Sequence, residues 1–342
     1  MGDQENHVRS ILSSKKRPPP AIDPLQLPAS KTRVPFGDLT NSPNIALNQS
    51  SDLNKENTFM KTNNKKKQKK FACESSLYKH LHALEMDVNR RPLPNYMDKV
   101  QKDISKSMRE VLVDWLVEVA EEYKLVSDTI YLAVSYVDRF LSIHDINRSK
   151  LQLLGVSAML IASKYEEIAP PNVEDFCYIT DNSYTVDEVK DMEKEIQSVP
   201  NFEMGNPTAK NFLRIFTKAA QENFKGSKLQ LEFMASYLLE LSLLDIVCMQ
   251  FLPSVAAASA LFLSRFTLDS QTRPWNLALQ CHTGYKPSDL KDCVLVMHGL
   301  QWNIKGSSLQ AVPIKYSKTK FTCVSSLTSP DIPASYFEPV YE

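Results

Sequence analysis

The chain has 342 residues, a length that suggests about two domains. Its 40 basic and 40 acidic residues cancel, and it holds only 8 glycines with no GxGxxG or GxxxxGKS/T run. That composition argues against a glycine-rich β architecture and against a phosphate-cradling nucleotide enzyme.

The zero net charge conceals an asymmetry. Residues 1–70 carry 13 Lys/Arg against 6 Asp/Glu, seven of the 20 prolines and two aromatics, Phe36 and Phe59. Such a segment buries too little apolar surface to offset its ordering entropy, so residues 1–74 are expected to form a disordered, basic regulatory tail. The remaining chain is acidic, with a net charge of −7. The polar start MGDQENHVRS predicts no signal peptide, and Asn6 stands where a myristoylation signal needs Ser or Thr. Six scattered cysteines without a CxxC spacing are expected to be reduced thiols in an intracellular protein. Two basic clusters, Lys15, Lys16, Arg17 and Lys65, Lys66, Lys67, Lys69, Lys70, read as nuclear import signals. Without interleaved aromatics they make no base-stacking surface, and no direct nucleic-acid contact is expected.

From residue 75 the periodicity is helical. An N-terminal helix and linker fill 75–106. In 108–124, Met108, Val111, Leu112 and Trp115 recur at i, i+3, i+4, i+7. That helix also has Val113, Leu116, Val117, Val119 and Ala120 on other sides, so either it is engulfed or one apolar face awaits a partner. Ser127 is expected to cap a second helix over 128–143. A third, 148–168, is apolar nearly all round and should be central, with Gly155 admitting a close neighbour. Pro170-Pro171 ends it, a short helix follows at 172–180, and Thr185–Glu188 has capping-box spacing for a fifth helix towards Val199. Helices at about 208–222, 228–247, 253–268, 275–282 and 287–302 repeat the scheme. The uncharged run 246–264 is long enough to span a bilayer, but Pro253 and four polar residues interrupt it, so two buried helices are expected and no membrane contact.

Chemistry-bearing motifs are missing. No Glu-x-x-His, HExxH or DDxxD occurs, and His80-x-His82 and Cys281-His282 lack partners at metal-ligand spacing. The sequence predicts a binding protein with no metal, no cofactor and no catalysis of its own.

The segments MREVLVDWLVEV (108–119), YVDRFLS (136–142), KLQLLGVSAMLIASKYEEI (150–168) and YITDNSYTVDEVKDME (178–193) resemble the cyclins, most of all plant A-type cyclins. The resemblance implies an all-α chain of two tandem five-helix cyclin folds: an N-terminal box over 107–205, a C-terminal fold over 206–325 and a tail over 326–342. It also implies a non-catalytic subunit that activates a cyclin-dependent serine/threonine kinase of the PSTAIRE type. Carried across by position, Lys164 and Glu193 are the kinase-contacting pair, surrounded by Tyr165, Ile168, Phe202 and Met204. Met108, Val111, Leu112, Trp115, Glu118 and Gln152 match the patch that docks basic-x-leucine segments of substrates and inhibitors. Arg109 and Asp138 match the framework ion pair joining the first two helices.

Gln197 and Pro200 stand where relatives carry aliphatic residues. A proline inside the fifth helix would cost about 3 kcal/mol and predicts weaker kinase binding, the alternative reading. Arg33, Phe36 and Asn41 resemble a destruction box with Phe in place of Leu, and Lys55-Glu56-Asn57 matches the KEN signal. Both imply a ubiquitin ligase of the anaphase-promoting type as a partner, while the basic clusters imply a nuclear protein shuttling with the cytoplasm. Ser42-Pro43 and Ser329-Pro330 are minimal proline-directed phosphorylation sites. Paired cyclin folds also occur in general transcription factors of the TFIIB kind, but those need a basic second repeat and usually a zinc ribbon, which this chain lacks.

Overall fold

The computed structural model describes residues 76–200, 202–222 and 224–338, and among these there is no strand. The import clusters, both degradation signals and Ser42-Pro43 lie outside the described residues. Helix α1 (76–85) and a short α2 (Tyr96–Lys99) lead into the first repeat, built from α3 (Lys106–Glu122), α4 (Ser127–Leu141), α5 (Leu151–Glu166), α6 (Val173–Ile179) and α7 (Val186–Gln197). The second repeat comprises α8 (Ala209–Glu222), α9 (Lys228–Leu241), α10 (Pro253–Leu268), α11 (Leu277–Thr283) and α12 (Pro287–Asn303), followed by α13 (Ala311–Ser317).

The two all-apolar helices are central, as their patterning predicts. Every residue from Leu151 to Ser163 of α5 is buried, and so is every residue from Ala256 to Phe266 of α10. Gly155 admits α3 closely: a Cβ there would sit 2.7 Å from Leu112 Cδ1. The Thr185 capping box forms in both directions, with Glu188 N donating to Thr185 Oγ1 and Thr185 N to Glu188.

Several boundaries differ from the sequence expectation, each for a physical reason. Ser127 is the first residue of α4, not its cap. The N-cap is Val126, whose side chain accepts nothing, and Glu167 beyond the end of α5 accepts from Val126 N and Thr129 Oγ1 instead, both at 2.7 Å. The expected 228–247 helix stops at Leu241: the Ser242 hydroxyl donates to Leu239 O at 2.6 Å, and Arg109 takes the carbonyls of Leu243 and Leu244. Pro200 lies beyond α7, which closes at Gln197 with Ser198 as its cap. Gln197 and Pro200 are both exposed. A proline just past a helix C-terminus is a favoured placement, so the interior penalty does not arise.

The expected tail from 326 is folded onto the second repeat as far as Glu338. Phe337 stacks on Phe262 with ring centroids 5.3 Å apart, and Tyr336 meets Phe266 edge-on. Ser329 is 1% exposed and its hydroxyl donates to Gln301 Oε1, which closes Ser329-Pro330 to a modifying enzyme in this fold.

Two segments tie the repeats together. Helix α1 packs on the second repeat: Tyr78 donates to Thr283 O at 2.8 Å, and buried Glu85 accepts from Ser254 N and Ser254 Oγ at the start of α10. Helix α13, absent from the sequence reading, lies against both α3 and α9. Its Lys315 reaches Glu240 of α9 at 2.7 Å, its Ala311 N donates to Asp114 of α3, and Lys318 bonds Glu121 of α3 at 2.8 Å.

Candidate partner-docking site

Helices α5 and α7 run together at one edge of the first repeat. Lys164, in the last turn of α5, donates to both carboxylate oxygens of Glu193 on α7, at 2.7 and 2.9 Å. The lysine side chain is half exposed while the glutamate is 14% exposed, so the pair presents a cation to solvent over a nearly buried anion. Tyr165 is 51% exposed, Met204 44%, and Ile168, just past α5, entirely so. Apolar side chains left open around an ion pair are what an unfilled interface looks like.

Phe202 behaves differently from its neighbours. It packs inward against the Tyr136 ring, centroids 5.1 Å apart, and the Arg139 guanidinium lies 5.1 Å from its own. Tyr136 donates to Met204 O at 2.7 Å and Arg139 donates to Glu203 O at 3.1 Å. The sequence reading missed Tyr136 and Arg139 as site residues, although both lie in the YVDRFLS segment. They anchor residues 202–204 to α4.

The second candidate patch, on α3, is mostly enclosed. Leu112 is 0% exposed against Gly155, and Met108, Trp115 and Gln152 are buried, while Val111 is part-buried and Glu118 exposed. The surplus of apolar residues on α3 has a structural explanation, because α13 covers the face marked by Asp114 and Glu121, with Val117 between them only 1% exposed. Most of α3 is thus enclosed. What remains open is a strip carrying Val111 and the Glu118 carboxylate.

The framework pair is a wider hub than its two residues. Arg109 Nε and Nη2 donate to the two oxygens of Asp138, both at 2.7 Å, and Tyr96 Oη donates to Asp138 Oδ1 at 2.8 Å. Burial pushes the Arg109 ionisation down, but the facing Asp138 carboxylate outweighs it and holds the guanidinium charged. Desolvation and Asp138 both push the Tyr96 phenol well up, keeping it a donor. Among the described residues no group of three His, Cys, Asp or Glu is placed to hold a metal, and no helix is long and apolar enough to cross a membrane.

Comparison with known proteins covers nearly the whole described chain. Residues 76–205 match the family described as Cyclin, N-terminal domain, and residues 207–330 match Cyclin, C-terminal domain. The chain is 60% identical to Cyclin-A3-1 of Oryza sativa subsp. japonica over 269 residues, 78% of this chain and 72% of that one. It is 47% identical to Cyclin-A3-4 of Arabidopsis thaliana across 99% of this chain and 98% of the relative. It is also 49% identical to the G2/mitotic-specific cyclin C13-1 of Daucus carota, over 92% and 98% of the two chains. Among solved structures, a viral cyclin from herpesvirus saimiri superposes with a TM-score of 0.57 at 21% identity, covering 66% of this chain and 96% of that one. That likeness bears on the fold alone.

Proposed function

The chain belongs to the cyclin family, and from that premise we propose that it binds and allosterically activates a cyclin-dependent serine/threonine kinase carrying a PSTAIRE-type regulatory helix. The observation that carries this reading is the Lys164–Glu193 pair, with the adjoining Tyr165 and Ile168 exposed at the end of α5 and Met204 also exposed. A helix end brought against this surface offers unpaired backbone groups to the two charges and apolar side chains to their rim. Binding energy spent there holds the kinase helix inward, where its glutamate pairs with the ATP-site lysine. The chain itself supplies no catalytic group.

The same reading makes Val111 and Glu118 the open edge of a docking strip for basic-x-leucine segments. Glu118 faces the basic residue, and Met108, Leu112, Trp115 and Gln152 line the seat beneath it, so seating a leucine requires these side chains to give way. In this reading the tail directs nuclear import through its two lysine-rich clusters and destruction, by a ubiquitin ligase of the anaphase-promoting type, through Arg33–Asn41 and Lys55–Asn57.

The test mixes the purified chain with such a kinase and follows phosphorylation of a basic peptide. The expected result is activation that Glu193→Ala abolishes, with Glu118→Ala lowering activity only on substrates that carry the basic-x-leucine segment. No activation by the folded wild-type chain overturns the proposal for that kinase class.

A further inference from the structure

Residues 327–338 form a strap over the second repeat. Residues 327–333 have no regular secondary structure, and Ala334–Phe337 make a 3-10 turn. Two side chains of α12 hold the irregular part. Gln301 Nε2 donates to Leu327 O at 3.1 Å, and Gln301 Oε1 accepts from the Ser329 hydroxyl and, at 3.4 Å, from Ser329 N. His298 Nε2 lies 3.0 Å from Pro330 O. Beyond these the grip is aromatic: Phe337 on Phe262 and Tyr336 on Phe266, with Tyr336 Oη donating to Ser270 O at 3.1 Å. A segment held by so few hydrogen bonds opens at a lower free energy than the helices beneath it.

Within the strap, Ser329 is turned inward and 1% exposed, while Pro330 and Asp331 beside it are exposed. The seat of the serine hydroxyl suits a donor and rejects an anion. Ser329 Oγ faces Gln301 Oε1, an acceptor, and the amide nitrogen of Gln301 is committed to Leu327 O. Turning the amide over would aim Nε2 at a phosphate but set Oε1 against the Leu327 carbonyl. Of the two α12 anchors only His298 can carry positive charge, and its Nε2 faces the Pro330 carbonyl. A phosphate on Ser329 brings a charge of about −1.5 to −2 and three acceptor oxygens. Burying it in that seat is far costlier than leaving it in water. The docked strap and the phosphate exclude each other.

We propose that Ser329 is a masked phosphorylation site for a proline-directed kinase, and that its modification locks the strap open. The exposed Pro330 supplies the motif, and transient release of residues 327–333 from Gln301 and His298 presents the serine. The kinase transfers the γ-phosphoryl group of ATP to Ser329 Oγ; the hydroxyl proton passes to the kinase's base and ADP leaves. The phosphoserine then has no seat to return to, so the strap stays off α12. Release also uncovers the ring faces of Phe262 and Phe266 on the central helix α10, which Phe337 and Tyr336 otherwise cover.

The test uses the full chain and a peptide of residues 324–334 as the unmasked reference. The enzyme is a proline-directed kinase that is active without a cyclin and modifies the peptide, and Ser329 phosphate is followed by mass spectrometry. The intact chain is expected to react about tenfold more slowly than the peptide, or slower still. Gln301→Ala and Phe337→Leu loosen the strap without touching the motif, and each is expected to raise the rate on the chain about tenfold. A cooperative melt of both variants shows that the acceleration comes from the strap and not from global unfolding. Hydrogen exchange then compares residues 327–338 before and after modification, with loss of protection expected in the phosphorylated chain while α10 stays protected. Equal rates for chain and peptide, no acceleration in either variant, or unchanged strap protection after phosphorylation overturns the proposal. None of these readouts depends on kinase activation by this chain.

Discussion

Arg109 of α3 grips Asp138 of α4 through two 2.7 Å bonds, and its remaining nitrogen donates to the carbonyls of Leu243 and Leu244 in the second repeat, at 2.9 and 3.1 Å. One guanidinium thus fixes the register of the first two helices, terminates α9 and joins the repeats. Asp138→Ala leaves that cation buried without its counter-charge and is expected to cost about 3–5 kcal/mol. Arg109→Lys keeps the charge but loses the planar fork, so it should be nearly as damaging. Tyr96→Phe removes a single bond to the same carboxylate and should cost about 1 kcal/mol. Urea unfolding of the three variants checks the order, and an Asp138→Ala loss no larger than that of Tyr96→Phe contradicts it.

Glu85 does for the second repeat what no residue of that repeat does for itself. Its carboxylate accepts from Ser254 N and Ser254 Oγ at the N-terminus of α10, the central helix, whose N-cap Leu252 offers no side-chain acceptor. Negative charge at a helix N-terminus is favourable, and this one is 1% exposed and so little screened. Glu85→Ala strands two buried donors and is expected to lower stability by about 1–3 kcal/mol. If residues 76–85 were only a loose appendage, the thermal melt of this variant would match wild type.

Local signals carried a good part of this fold. The all-round apolar runs located α5 and α10, the Thr185–Glu188 spacing located the start of α7, and Gly155 marked a close helix approach, which the structure shows to be that of α3. Missing were contacts whose partners lie far apart in the chain. Arg109 and Leu243 are separated by 134 residues, and Glu167 caps a helix that begins 40 residues before it. Periodicity also has little to report on α13, which is seven residues long and gains its order from α3 and α9. The residues proposed to contact a kinase were named by resemblance; the inward turn of Phe202 and the anchoring by Tyr136 and Arg139 depend on tertiary packing.

Pro200 supplies a test of where α7 ends. With the helix closed at Gln197 and Val199 N donating to Ile196 O, the position after Val199 needs no helical donor. Pro200→Leu is expected to change stability by less than about 0.5 kcal/mol, as for other exposed loop positions. A stabilisation near the ~3 kcal/mol cost of an interior proline would show that the helix runs on through this position.

Gly155→Ala probes the α3–α5 contact directly. The added methyl group would lie 2.7 Å from Leu112 Cδ1, inside van der Waals contact, so the fully buried Leu112 side chain must shift within the core. Overpacking of this kind costs about 1–3 kcal/mol. The double variant Gly155→Ala with Leu112→Val should recover part of that loss, and strict additivity of the two single losses in a denaturant series would deny the contact.

Glu121 makes the strap formed by α13 and the residues after it sensitive to acid. Partial burial pushes its carboxyl up, but the Lys318 bond, aided by Lys315 and Lys320, outweighs this and holds the group below the ordinary glutamate range. In the unfolded chain the group titrates near its reference value of about 4.3. Between that value and the lower native one, the unfolded state binds the proton and the native state does not, so stability rises with pH across this window. The contribution is complete above about pH 4.3 and is lost as pH falls through the native value. Glu121→Gln should therefore be less stable than wild type at neutral pH and show a shallower loss below about pH 4.3. Unfolding curves taken stepwise down to about pH 3 distinguish the two proteins. Parallel acid limbs would mean that the lysines of the strap are held by Glu240 and solvent, with Glu121 contributing nothing to the docking of α13 on α3.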